Sequence, residues 1–151
     1  MISKKLLEYG YDYKPAKKHV PEFPFHSAVL SGNLIYTSGQ IPLLGEISIK
    51  GKVGLDLDVD QAKIAAEICA FNCICAAGSI IDINSIVKVV KIFGMVNCAP
   101  GFNQTSQVIN GSSEFFIKIF GENGYHARSA VGMLLPSDWA VEVEVIFEIK
   151  K

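Results

Sequence analysis

The sequence predicts an α+β domain, a mixed β-sheet with two helices packed on one face, in the order β-β-(β)-α-β-α-β-β. Three observations predict it. Two segments carry helical signals, Asp58 to Ala77 and Thr105 to Phe120, with the β-branched segment Ile86 to Asn97 between them. Short β-rich runs flank the pair at both ends. Val141, Val143, Val145 and Phe147 alternate with Glu142, Glu144, Ile146 and Glu148, the period-two pattern of a strand with one buried face. Long crossovers through the helices require some parallel pairing, and the terminal hairpins require antiparallel pairing.

Residues 1 to 25 are polar and dotted with Pro15, Pro21 and Pro24. They read as an extension lying over the core, with one or two helical turns at Lys4 to Tyr9. Ser27 to Gln40 holds two short β-rich runs joined at Gly32-Asn33, which tolerate φ > 0 and suit a two-residue hairpin. Residues 42 to 57 carry Pro42, Gly45, Gly51 and Gly54 between short apolar pieces and predict a loop with one edge strand. Asp58 and Gln61 have capping-box spacing, and Gly78 stands after Ala77 as a C′ stop. The polar positions of this first long helix, Asp60, Lys63 and Glu67, form one narrow stripe. Past Asn72 it is apolar all round, as expected of a helix buried on most sides. Ile86 to Asn97 is a strand by its Val and Ile content. In Thr105 to Phe120, Val108, Ile109, Ser112, Phe115, Phe116 and Ile119 make the inner face, and Gly121 stops the helix. Ser129 to Leu134, a Pro136-Ser-Asp turn and Ala140 to Ile149 complete the sheet. Because the helices cover one face, the other is expected to meet another subunit.

Composition narrows the function. The 151 residues make a single domain, 1–151, and 50% hydrophobic against 19% charged residues exclude a disordered chain. Fourteen basic residues against fifteen acidic ones leave no basic excess to track a phosphate backbone, so nucleic acid is not an expected partner. Mean hydropathy is high at +0.31, yet no apolar run approaches the ~18 residues of a membrane span. Met1 to Leu7 has two lysines but no apolar stretch after them, which predicts a cytoplasmic protein without a secretory signal. Cys69, Cys73 and Cys75 crowd one helix while Cys98 is distant, so they read as core residues, not disulfides. His19, His26 and His126 are scattered, and no metal site is expected. Neither a phosphate-binding loop nor a Ser/His/Asp arrangement is visible in the sequence.

A few residues could carry chemistry. Arg128 is the only arginine beside thirteen lysines, and its guanidinium fork can hold a carboxylate or phosphate bidentately. It could equally pair with Glu142 or Glu144 on a neighbouring strand. Glu142, Glu144 and Glu148 point the same way; they make a solvated face, or one of them acts near a cleft as a general base. Ser38-Gly39-Gln40 ends a strand and can expose backbone N–H groups. Asn110-Gly111 is a poor pair for a helix interior and marks a kink or an inward polar contact.

Together these motifs resemble the RidA (reactive intermediate deaminase A) family, also called the endoribonuclease L-PSP family. The resemblance rests on Pro24-Phe25, on Ser31-Gly-Asn-Leu-Ile-Tyr-Thr-Ser-Gly-Gln-Ile-Pro42, on Asn110 before Glu114-Phe-Phe116, and on Ala127-Arg-Ser-Ala-Val with Leu135-Pro136 and Val141-Glu-Val-Glu144. It spans about residues 20 to 150 and looks most like the branch of about 150 residues with an N-terminal extension.

The resemblance implies a chorismate-mutase-like fold, a homotrimer with inward-packed sheets, and clefts between subunits where 2-aminoacrylate-type enamines and imines are hydrolysed to 2-keto acids and ammonia. It implies no cofactor. By position, Arg128 matches the arginine that clamps a substrate carboxylate, Gly39 the backbone donor beside it, Glu142 the glutamate that positions or activates water, and Asn110 an asparagine near the cleft. Phe25 stands in place of a family tyrosine and Ala130 in place of a common cysteine, so the chain lacks a hydroxyl donor there. Two other readings follow: a trimer that binds small carboxylate metabolites without turnover, and the RNase activity of the family's older name, against which the near-neutral charge counts.

Overall fold

A computed structural model of the chain describes residues 1–150. Asp58 opens the longer helix by a reciprocal cap: its carboxylate accepts from the Gln61 N–H at 2.8 Å, and the Gln61 side chain accepts from the Asp58 N–H at 2.9 Å. The helix that follows, α2 (Val59–Ala77), buries Ala, Ile, Cys and Phe side chains along most of its girth. Gly78 closes it with φ −62°, in the right-handed region, and so is not the left-handed stop that its position suggested. A Cβ there would collide with the Tyr13 hydroxyl, so glycine is needed for close approach of the N-terminal extension.

That extension begins with α1 (Ile2–Glu8), whose Ile2 and Leu6 are buried. It is pinned further on by Tyr11, whose ring lies against Phe71 and Phe115 and whose hydroxyl donates to Glu67 Oε1 at 2.7 Å.

Five strands make the main sheet: β1 (Ala28–Ser31), β2 (Leu34–Thr37), β5 (Ile86–Asn97), β6 (Ala127–Met133) and β7 (Val141–Ile149), in the order β1-β2-β7-β5-β6. The β1–β2 hairpin turns through Gly32 at φ 62°; Asn33 keeps negative φ, so glycine alone supplies the reversed geometry. Residues 42 to 57 contain two short strands instead of one, β3 (Leu43–Leu44) and β4 (Ile47–Ser48), paired with each other apart from the main sheet. Within the main sheet β5 and β6 are the one parallel pair, as the crossover through α3 (Thr105–Phe120) requires. β6 starts at Ala127, two residues before the expected Ser129, so Arg128 lies inside a ladder opposite Ile92.

Both long helices pack on one face, α2 over β7 and α3 over β5 and β6. Val141, Val143, Val145 and Phe147 point to them and are buried, as are Ile92 and Val96 of β5. Glu142, Glu144, Ile146 and Glu148 point the other way. Among the described residues that outer face is covered only in part, by the loop residues Gly51, Lys52 and Asp138 over Asn97 and by Gly39 against Glu142, while Tyr36, Val131 and Met133 stay exposed.

Candidate functional site

The single arginine is held by α3. Arg128 Nη1 donates to Asn110 Oδ1 at 2.7 Å and to Ser113 Oγ at 3.2 Å, while Nη2 reaches the Ser106 carbonyl at 3.4 Å. Asn110 and Ser113 stand one helical turn apart and so present both acceptors to one strand residue. Gly111 between them lets α3 lie directly on α2, since a Cβ there would enter the Lys63 carbonyl. Asn110 is therefore the inward polar contact, not a kink.

Among the described residues Arg128 has no carboxylate partner: the ion pairs are Lys4–Glu8, Lys14–Asp12 and Lys63–Glu114. Three of its five N–H groups are engaged. The Nε–H and one Nη2–H remain, a pair suited to a carboxylate.

A second cluster gathers around Gly39. The Glu142 carboxyl group lies against its Cα, where a Cβ would sit 2.8 Å from Glu142 Cδ. Burial, reinforced by the neighbouring charge of Glu144, pushes the Glu142 carboxyl above its ordinary value. Beside Gly39 opens a cavity of about 260 Å³ lined by Val20, Phe23, Phe25, Ser27, Ser38 and Ile41, among others. Phe25 is 55% exposed and stacks on Phe23 at 5.4 Å.

These clusters do not meet within one chain. Arg128 shares the helix-covered face with Ala130, its neighbour two residues on, and Glu142 projects from the opposite face. The sheet separates them.

The structure also brings together residues that the sequence left unconnected. His126 Nδ1 sits 2.6 Å from the Gly124 carbonyl, and its Nε2 lies 2.9 Å from Ser113 Oγ. A Ser–His contact thus exists where none was expected, with a backbone carbonyl, not an aspartate, behind the ring. Burial, with the Arg128 charge assisting, holds the His126 ring below the ordinary histidine value, against the Gly124 hydrogen bond that favours the cation. That Ser113 would face His126 was not readable in the sequence. Elsewhere, no group of three or more His, Cys, Asp or Glu residues among those described could hold a metal ion, and no helix is long and apolar enough to cross a membrane.

Residues 17–140 match the family model described as "YjgF/chorismate_mutase-like, putative endoribonuclease". The chain belongs to the YjgF family, the RidA/endoribonuclease L-PSP family. Among its relatives is Protein TCP17 of Trypanosoma cruzi, 35% identical over 134 residues, covering 85% of this chain and 83% of that protein. The crystal structure of Atu1372 from Agrobacterium tumefaciens, a protein of unknown function, is 38% identical with a TM-score of 0.88, covering 99% of this chain and 93% of that one. Escherichia coli TdcF with bound serine shares the fold at 22% identity and a TM-score of 0.60, over 90% of this chain and 94% of that one. The mixed sheet with its helices on one face is thus the YjgF/chorismate-mutase-like architecture.

Proposed function

We propose that this YjgF-family chain hydrolyses reactive enamines and imines of the 2-aminoacrylate or 2-iminobutanoate type to 2-keto acids and ammonia, in a cleft made by two copies of the chain within a homotrimer. The observation that carries this reading is Arg128: a half-buried guanidinium without an ionic partner among the described residues, held by neutral acceptors, with two N–H groups unspent. Lysine would serve solubility as it does elsewhere in the chain, whereas a fork fixed in this way suits a small carboxylate.

The chemistry asks little more of the protein. An iminium carbon is already electrophilic, so holding the carboxylate on Arg128 and water on Glu142 supplies most of the catalysis by positioning. Glu142, with its affinity for protons raised by burial, takes one from the attacking water and can return it to the departing amine. Because Arg128 and Glu142 project from opposite faces, the cleft takes Arg128, Asn110 and Ala130 from one copy and Gly39, Glu142 and Phe25 from its neighbour. The outer face, with Tyr36, Val131 and Met133 exposed, supports an assembly that buries it.

The test couples the protein to a threonine dehydratase acting on threonine, with semicarbazide competing for the imine. Faster 2-oxobutanoate release, lost in Arg128→Ala, is expected; equal rates with and without the protein would sink the reading. Phe25 favours a second reading, a carboxylate-binding trimer without turnover, because an apolar ring beside Gly39 handles no proton. That reading is chosen if 2-oxobutanoate raises Tm, Arg128→Lys abolishes the rise, and no hydrolysis is seen.

A further inference from the structure

We propose that Ser113 and His126 form a proton relay behind Arg128, with Ser113 taking the hydroxyl proton of the carbinolamine intermediate and His126 as the base that drives it. This inference rests on the deaminase reading above and assigns that site a second proton-handling group.

Hydrogen-bond directions fix the relay. A carbonyl only accepts, so the 2.6 Å contact to Gly124 places the proton of the neutral ring on Nδ1 and leaves the Nε2 lone pair free. Ser113 must then donate its O–H to Nε2 across 2.9 Å, and its oxygen accepts from Arg128 Nη1 at 3.2 Å. A base, an orienting acceptor behind it and a hydroxyl in front reproduce the logic of an activated serine, here ending on the group that would hold the substrate carboxylate. The guanidinium steadies negative charge on the Ser113 oxygen as its proton leaves. Ser113 and His126 are partly exposed, which the relay requires if substrate is to meet the hydroxyl.

Water adds to C2 of the iminium, the C=N pair moves to nitrogen, and Glu142 takes the water proton, giving a carbinolamine. In the collapse, the amine nitrogen takes the proton from Glu142 and leaves as ammonia with the C–N pair. The carbinolamine O–H proton passes to Ser113 Oγ while the proton of Ser113 passes to His126 Nε2, and the freed O–H pair closes the C=O bond. The products are keto acid, ammonia, a Glu142 carboxylate and a His126 imidazolium; the imidazolium then returns its proton to ammonia, which departs as ammonium.

The charge that acts on the ring is that of Arg128 on β6, whereas α3 offers Ser113 and Phe116 there, neither of which titrates in this range. Protonating His126 puts a hydrogen on Nε2 and blocks the relay, so turnover falls as pH drops below 6.5 through the depressed value of this ring.

The dehydratase-coupled assay, run with excess dehydratase from about pH 5 to about pH 8, tests this on wild type, Ser113→Ala, Ser113→Thr and His126→Gln. Ser113→Ala and His126→Gln are expected to lose roughly 100-fold in kcat, the usual worth of a positioned base. Both should keep the rise in Tm with 2-oxobutanoate, Ser113→Thr should recover most of the rate, and His126→Gln should keep only that part of the acidic limb which protonation of Glu142 causes. Wild-type turnover in Ser113→Ala, or an acidic limb identical to that of wild type in His126→Gln, overturns the relay alone. A lost Tm response in either variant also overturns it, since the pair would then merely hold Arg128. An inactive wild-type protein overturns the deaminase reading and the relay together.

Discussion

Arg128 and Glu142 lie on strands separated only by β5, yet their side chains leave the sheet from opposite faces. The cause is register. Arg128 pairs with Ile92 and Glu142 with Met95; these positions differ by three along one strand, and an odd separation inverts the face. A second copy of the chain is therefore the simplest means of joining the two groups.

Gly39 is the tightest point of the Glu142 half. Gly39→Ala would put a methyl group 2.8 Å from Glu142 Cδ and 2.9 Å from Oε1. The carboxylate is the end of a flexible side chain, so it moves aside and the fold survives. Steady-state kinetics should show kcat/KM for imine hydrolysis down by about tenfold or more, each factor of ten being about 1.4 kcal/mol, while Tm stays close to wild type. An unchanged kcat/KM would remove the Glu142 carboxyl from the chemistry.

Gly111 answers to packing instead. A methyl group there meets the Lys63 backbone carbonyl, which cannot swing away as a side chain can. Gly111→Ala should cost about 1–3 kcal/mol by overpacking, lowering Tm by roughly 2–12 °C in a chain of this size. Asn110 would shift with the helix, so carboxylate binding should weaken in the same variant. Calorimetry with and without 2-oxobutanoate measures both effects.

How far the sequence could be read follows from the range of each interaction. The Asp58–Gln61 cap, the bounds of α3 and the alternation along β7 arise from neighbours within a turn or a strand, and all three were visible as residue spacing. Gly78 misled because close approach of Tyr13, a contact across the fold, selects glycine as strongly as a left-handed turn does. Arg128 stood out by composition alone, but its acceptors on α3 depend on how that helix lies over β6. The His126–Ser113 contact has the same long-range origin, and scattered histidines carry no sign of it. The family resemblance supplied the pairing of Arg128 with Glu142; their opposite faces emerge only from strand order.

Glu142 gives a pH signature in stability. Burial, then the charge of Glu144, raises its carboxyl above the ordinary 4.5, so the folded form holds this proton more tightly than the unfolded one. Wild type then loses stability as pH rises from about that ordinary value through the raised one, and the loss is constant above it. Glu142→Gln escapes this loss. The difference in Tm, variant minus wild type, should grow across that interval and level off at higher pH. Parallel curves in a pH series of thermal melts would show that Glu142 has no such strain.

The proposed cleft between copies makes the sharpest prediction, because it separates an assembly from a collection of independent chains. Arg128→Ala destroys one half of every site and Glu142→Gln the other, so each variant alone should be inactive. When the two are unfolded together and reassembled at equal amounts, a site works if its arginine comes from a Glu142→Gln chain and its glutamate from an Arg128→Ala neighbour. Random mixing in a closed ring satisfies both conditions in about a quarter of the sites. Imine hydrolysis should therefore return to roughly a quarter of the wild-type rate, from two proteins that have none. A cleft built within one chain would regain nothing on mixing, and the measured rate decides between the two arrangements.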